Sequence, residues 1–479
     1  MGRIRISPWL AGIAIAAAAG LAGCASYSPD GGMGLVVDTA GTELGKDVAA
    51  LRTPDAVEAA RARVAGLLAR RLDAGGAVQI ALLNNRGLQA AYNELGLAEV
   101  AMVTASLPPN PTFSVERISG AAEIEIEKRI IANVLSLATL PVRAEIAGER
   151  FRQAQLRAAE ETLRIAAETR RAYYRAVALR ETEALLVQAK TAAEAATRLA
   201  ARLGESGAIN KLDQAREQVF YAEITGELAR ARQAAASERE RLTRLMGLWG
   251  KDIDFKLPPA LPILPRRPDA MPLVEREAVA RRIDLRIARI EVDALARTHG
   301  LTEATRFVNL LEVSGVGKTT KERETGERIR DRGFEVEFQI PVFDLGEGRA
   351  RQASETYLQA VNRLTEKAIN VRSQARDAYR AYRSAYDIAA HYQREVLPLR
   401  KLISDEMLLR YNAMQIDVFA LLADARGRIA ANSAAIGARR DFWLASVDLA
   451  VAIVGGGAVA GGEASATAAT MPAGESGGH

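Results

Sequence analysis

Gly333-Phe334-Glu335-Val336-Glu337-Phe338-Gln339-Ile340-Pro341-Val342 is the stretch that decides how this chain folds. Phe334, Val336, Phe338 and Ile340 have one parity; Glu335, Glu337 and Gln339 have the other. Alternation with period two builds a strand with one apolar and one strongly polar face. In a soluble sandwich the polar face meets bulk water. In a membrane barrel the same pattern turns aromatics to lipid and carboxylates to a water-filled lumen. About ten residues is also the length that a tilted barrel strand requires. The segment before it, Lys318 to Arg332, is dense in both charges and is expected to be a protruding loop.

Outward from this strand, Pro341-Val342 opens a long Ala-rich helical run, and Pro141-Val142 does the same 200 residues earlier. Each is expected to close a strand at the start of a long helix, so the chain reads as one unit used twice. In the first unit a helix over Val78–Ser106 is stopped by Pro108, Pro109 and Pro111. Strands over Thr112–Ile118 and Ile130–Leu140 follow, then a helix over Ile146–Leu203. A turn at Gly204–Gly207 leads to a returning helix capped by Asn210 and running to Trp249. The second unit repeats this from a helix over Leu273–Ala304, with Pro398 expected to kink its long helix.

The resulting division is residues 1–23, 24–77, a first repeat over 78–254, a Pro-rich linker over 255–272, a second repeat over 273–454, and a tail over 455–479 that is expected not to fold. The fold class is mainly α with a small β part: long antiparallel helical hairpins plus four strands per chain. Four strands cannot close a barrel, and open edges are not tolerated in hydrocarbon. If these strands enter a membrane, the chain must oligomerise.

Arg3 and Arg5, an apolar run from Trp9 to Ala22, and small residues at its end make a secretory signal. The run is shorter than the roughly 20 residues a spanning helix needs. Cys24, the only cysteine, follows Leu21-Ala22-Gly23 directly. Leu21-Ala22-Gly23-Cys24 resembles a bacterial lipobox, which implies that Cys24 is acylated, with residues 1–23 removed and 24–77 forming an acylated N-terminal segment. Aromatics make up only 5% of the chain, so small residues must dominate its helix packing. The net charge of +5 is spread along the helices without a block of one sign, which gives no signal for nucleic acid.

Enzyme chemistry is not visible. Gly315-Val316-Gly317-Lys318-Thr319-Thr320 resembles a phosphate loop, but the glycine required five residues before the Gly-Lys pair is Glu312. His299, His391 and His479 form no ligand pair, so neither a metal nor another cofactor is expected.

Several motifs together resemble the TolC outer-membrane efflux family. Pro341-Val342-Phe343-Asp344-Leu345-Gly346-Glu347-Gly348-Arg349-Ala350 is similar to its strand-to-helix junction. Ala81-Leu82-Leu83-Asn84-Asn85 through Leu88-Gln89-Ala90-Ala91 is similar to its opening helix, and Ser106 to Thr112 to its first strand entrance. Gly207-Ala208-Ile209-Asn210-Lys211-Leu212 and Arg410-Tyr411-Asn412-Ala413-Met414 resemble its two hairpin turns. The likeness spans about Val78 to Gly455 in the same order.

The resemblance implies a homotrimer in outer-membrane lipid. A twelve-stranded β-barrel would continue into an α-helical periplasmic tunnel, meeting a periplasmic adaptor and an inner-membrane pump. It further implies a passive conduit with Glu335, Glu337 and Gln339 facing the lumen and Arg410, Tyr411 and Asp417 at a periplasmic gate. Gly204, Gly207, Asn210, Asn412 and Met414 would then form adaptor-contact turns. Met414 stands where the family usually has Gly, and Ala420 and Ala423 stand where acids often line the entrance, with Asp424 out of phase. The competing reading is a periplasmic coiled-coil adaptor or structural lipoprotein without a pore.

Overall fold

A computed structural model describes residues 27–308, 310–339 and 341–457. The signal segment, Cys24, Ile340, His479 and the tail from residue 458 lie outside the described residues. Two helices, α1 (Gly34–Leu44) and α2 (Pro54–Leu68), precede the first repeat. That repeat is α3 (Ala74–Asn84), α4 (Arg86–Ser106), β1 (Thr112–Ser119), β2 (Glu123–Asn133), α5 (Val134–Ala138), α6 (Leu140–Glu205) and α7 (Lys211–Met246). The second is α8 (Val274–Arg281), α9 (Ile283–Ala304), β3 (Leu310–Glu322), β4 (Arg328–Gln339) and α10 (Glu347–His391), continued through a π-helical stretch (Tyr392–Val396) into α11 (Leu397–Asn412), then α12 (Val418–Val454).

The two halves present their main elements in the same order, two helices, two strands, a long helix and a returning helix, while α5 has no counterpart among the described residues. Each opening helix is broken at one extended residue, Asn85 (φ −67°, ψ 119°) and Arg282 (φ −65°, ψ 120°). Around these breaks, polar side chains cap the returning helices. The Asn84 amide donates to the carbonyls of Met246 and Gly247, and that of Asn85 to Leu245. Arg282 donates to the Ala452 carbonyl near the end of α12. The helix α6 has 66 residues, and the run from α10 through α11 covers the same length, Glu347–Asn412. Pro398 cannot donate to the carbonyl four residues back, and the π-helical turn just before it absorbs the lost register.

Four sequence expectations shift. The opening helices are each two helices. The two Pro-Val dipeptides are not equivalent: the helix caps Asn210 and Asp417 lie 207 residues apart, an offset that matches Pro141 to Gly348. Pro341 follows β4 almost at once, whereas Pro141 is the second residue of α6, where a missing N–H costs little. The second strand is Glu123–Asn133 rather than Ile130–Leu140, because the Asn133 side chain accepts from the Ser136 N–H (2.7 Å) and starts a helical turn. The charged loop over Lys318–Arg332 shrinks to Arg323–Glu327, since β3 runs to Glu322 and β4 starts at Arg328.

The described chain forms two compact units, and each takes corresponding pieces from both repeats. The first comprises Gly87–Ala159, Ile283–Ile369 and the residues up to Ala50. Its core gathers Val36, Leu88, Tyr92, Leu95, Leu156 and Leu285. Its N-terminal segment is pinned by polar contacts. The Ser28 backbone N–H (2.6 Å) and hydroxyl both donate to the buried Glu99 carboxylate, and the Gln155 amide donates to the Gly32 carbonyl at 3.0 Å.

The second unit comprises Leu51–Arg86, Glu160–Arg282 and Asn370 onward. Six aromatic rings meet here. Tyr173, Tyr174, Trp443, Phe442, Tyr382 and Tyr386 form a continuous set of ring contacts at 5.1–5.7 Å between centroids. The Tyr173 hydroxyl donates to the Leu72 carbonyl, and burial pushes its pKa well above the ordinary tyrosine range.

The Pro-rich connector belongs to this unit, where side chains from several helices hold it. Arg239 donates to the carbonyls of Ile253 and Phe255, Arg180 to Leu257, Trp443 to Pro262, and the Tyr386 hydroxyl to Pro265 and Arg266. The N–H groups of Leu261 and Asp269 donate to Glu181 and to the Tyr382 hydroxyl. An extended Pro-rich chain cannot satisfy its own carbonyls, so helix side chains do it.

Candidate functional site

In the first unit the four strands form one antiparallel sheet in the order β1-β2-β3-β4, leaving an unpaired edge on β1 and on β4. Residues directly opposite in an antiparallel pair share a face. One face therefore carries Glu116, Glu123, Glu125, Glu127, Glu312, Glu322, Asp331, Glu335 and Glu337, with Arg129 and Lys318 as its only cations. Both cations are paired: Lys318 to Glu125 at 2.6 Å, and Arg129 to Glu127 and Glu335 at 2.7 and 3.2 Å. Asn133 and Ser314 add hydrogen bonds to Glu312 and Glu335.

The other face carries no acid. Phe113, Ile130, Val313, Phe334, Val336 and Phe338 lie on it, and Phe334 is 82% exposed. At the foot of the sheet, beyond the strands, Leu107, Phe307, Val342 and Phe343 are also exposed. An exposed apolar surface of this extent on a β-sheet marks a membrane or partner contact. No helix among the described residues is long and apolar enough to cross a membrane.

The second unit presents two hairpin turns built alike. At the first, the Ala208 N–H reaches the Leu203 carbonyl and that of Gly207 reaches Gly204; at the second, Gln415 reaches Arg410 and Met414 reaches Tyr411. Each is the paired-bond stop of a helix that needs one left-handed residue. Gly207 (φ 72°) supplies it in the first turn and Met414 (φ 57°) in the second. Three residues later, Asn210 and Asp417 cap the returning helices by accepting from Asp213 (2.9 Å) and Ala420 (2.8 Å).

A family-model comparison finds no match, and no curated protein matches the sequence. Solved structures do. The Campylobacter jejuni CmeC outer-membrane channel superposes with TM-score 0.68 at 15% identity, covering 80% of this chain and 86% of that one. The open state of the Neisseria gonorrhoeae MtrE outer-membrane channel gives 0.65 at 16% identity, covering 79% and 88%. The Vibrio cholerae outer-membrane protein VceC gives 0.64 at 13%, covering 80% and 96%. The chain has the TolC-type outer-membrane channel fold.

Within this TolC-type fold the expected site residues are distributed as follows. Glu335, Glu337 and Gln339 lie on the acidic face. Gly204, Gly207, Asn210, Asn412 and Met414 lie in or beside the two turns, with Met414 93% exposed. Arg410 and Tyr411 end α11, where Arg410 pairs with Glu406 at 2.9 Å. Asp417 serves as a helix cap. Asp424 is turned away from the turn, accepting from Ser404 at 2.5 Å. The phosphate-loop look-alike is interior β3 strand, which rules it out. His299 stacks on Tyr357, and His391 lies 3.2 Å from Glu395.

Sequence reasoning missed the ion pairs that join the two repeats: Arg171–Asp448, Glu181–Arg439 and Glu217–Arg426. Only the partners' position across the helix bundle identifies them, because each lies more than 200 residues from its mate.

The Met414 turn carries a direct prediction. A non-Gly residue held left-handed costs about 1 kcal/mol, so Met414→Gly should protect the amides around the turn about fivefold in hydrogen exchange. Unchanged protection would mean that the turn stores no strain.

Proposed function

We propose that this chain is the outer-membrane exit channel of a tripartite efflux or export system. It would be a passive conduit from periplasm to exterior, energised by an inner-membrane pump and performing no catalysis itself. The observation that carries the reading is the separation of charge across the sheet: nine acids and two cations on one face, no acid on the other. A soluble sheet has no need of exposed Phe, Ile and Val rows opposite a densely acidic face. A barrel wall does. The two unpaired edges favour closure by three copies, β4 of one against β1 of the next, into twelve strands. Glu335, Glu337 and Gln339 would then line the lumen.

The hairpin turns would form the periplasmic end, with Gly204, Gly207, Asn210, Asn412 and Met414 meeting the adaptor. An exposed Met suits such a contact, being apolar and conformationally adaptable. Arg410, Tyr411 and Asp417 would edge the entrance. The Glu217–Arg426 pair (2.6 Å) ties α7 to α12 within three turns of both caps, which would limit how far the hairpins separate.

Acylation of Cys24 fits the chain's reach. Cys24 stands four positions before Ser28, which is pinned to Glu99, so its Cα could lie at most about 14 Å from that of Ser28. Glu99 itself lies seven residues before the end of α4, about 10 Å from the helix end that leads to β1.

The test is reconstitution of the full chain into planar phosphatidylcholine bilayers. A heat-modifiable trimer should conduct, with potassium strongly preferred over chloride because the lumen face is acidic. A chain that remains a soluble monomer without detergent, or a trimer that conducts anions preferentially, would overturn the reading.

A further inference from the structure

The acid-free face is ordered along the strands. From the β-hairpin turns downward, its first three cross-strand rows are Ser119–Ile124–Lys321–Arg328, Arg117–Ile126–Thr319–Arg330 and Val115–Lys128–Gly317–Arg332. The rows below are Phe113–Ile130–Gly315–Phe334, Ala132–Val313–Val336 and Leu311–Phe338. All six cations of this face, Arg117, Lys128, Lys321, Arg328, Arg330 and Arg332, thus fall in the three rows nearest the turns. All six are exposed, and among the described residues none has a side-chain hydrogen bond or an ion pair. The two cations on the opposite face are both paired.

Such a strip is unfavourable by itself. Lys321 and Arg328 stand directly opposite one another, and like charges so placed destabilise a sheet. It becomes favourable against anions. We propose that this strip binds the phosphate-bearing headgroups of the bilayer in which the apolar rows sit. The proposal rests on the membrane reading above.

Two arguments select this occupant. Four of the six cations are Arg, whose planar fork matches phosphate oxygens two at a time. The strip is also continuous with the apolar rows on the same face, so one ligand touching both must be an amphiphile with an anionic head. Depth agrees. A cation facing lipid is costly at the bilayer midplane and nearly free at the interface. The cationic rows therefore sit at headgroup level, and the Phe and Val rows in hydrocarbon.

The full chain and its Arg328→Gln/Arg330→Gln/Arg332→Gln variant would first be checked for trimer and conductance in phosphatidylcholine. Each would then be reconstituted in equal parts phosphatidylcholine and phosphatidylglycerol and re-extracted in detergent, and the retained lipid identified by mass spectrometry. A cation at an anionic surface is worth about fivefold. The wild-type chain should hold phosphatidylglycerol preferentially, and the triple variant should lose at least about tenfold of that preference. Lys318→Gln, on the other face, should keep it. Equal preference in wild type and triple variant would overturn the strip while leaving the channel intact. Displacement of the lipid by inorganic phosphate at about millimolar concentration would also overturn it, as a free-anion site. Failure to insert or conduct in phosphatidylcholine would remove the membrane reading, and the strip with it.

Discussion

Gly346→Ala is expected to destabilise the first unit by about 2–4 kcal/mol and to cut the yield of assembled protein severely. Gly346 sits at φ 69°, directly after Leu345 at φ 48°, so the junction between β4 and α10 is two consecutive left-handed residues. A methyl group there would overlap the Arg306 carbonyl oxygen and lie 2.9 Å from its Cγ. That oxygen has little freedom to retreat. It accepts from Arg349 at 3.1 Å, while the Arg306 guanidinium donates to the Leu345 carbonyl at 2.9 Å. The left-handed backbone adds about 1 kcal/mol to the clash. Circular-dichroism melting in detergent and the fraction migrating as heat-modifiable oligomer would measure both. Gly348→Ala is the control, since its nearest neighbour is an Asp344 oxygen at 3.9 Å, and it should be neutral or slightly stabilising. A Gly346→Ala protein that melts like wild type would show that the junction relaxes freely.

The second large effect is expected from Glu181→Ala. One carboxylate here serves three segments: it stands on α6, pairs with Arg439 on α12, and accepts from the Leu261 N–H of the connector at 2.9 Å. Glu181 and Arg439 are largely buried, with side chains 17% and 23% exposed. Removing the carboxylate strands a guanidinium and an amide N–H together, a loss of about 2–4 kcal/mol. The readout is the denaturant midpoint of the helical signal. In a double-mutant cycle Arg439→Ala should be much less harmful once Glu181 is gone, with a coupling of about 1–3 kcal/mol. Strict additivity of the two substitutions would mean that the pair is not what holds the connector.

Much of this was legible locally. The alternation of Phe334 to Gln339 announced a two-faced strand, and the Gly204–Asn210 turn announced its own stop and cap. Where periodicity is ambiguous, sequence and structure part. Val134 to Leu140 is a short apolar run that fits strand or helix equally, and the Asn133 cap settles it as helix. Lys318 to Arg332 looked like a loop because its alternation is charge against charge, with no apolar period to see. Lys318–Glu322 and Arg328–Arg332 are strand; Glu322 and Asp331 go to one face, where Lys318 pairs with Glu125, and Lys321, Arg328, Arg330 and Arg332 go to the other. The Pro-rich connector looked like a spacer, since nothing in its own residues names the Arg, Tyr, Trp and Glu side chains that fasten it.

By itself the sequence determined the duplicated unit, the long helices, their caps and stops, and a two-faced strand. All are set by neighbours within a few residues, through backbone preference and hydrophobic period. The tertiary structure alone decided the register of the four strands, the charge on each face of the sheet, the pairs joining the repeats and the anchoring of the connector. Those depend on partners up to 277 residues apart, as in Arg171–Asp448, and such partners are chosen by the geometry of packed helices and paired strands.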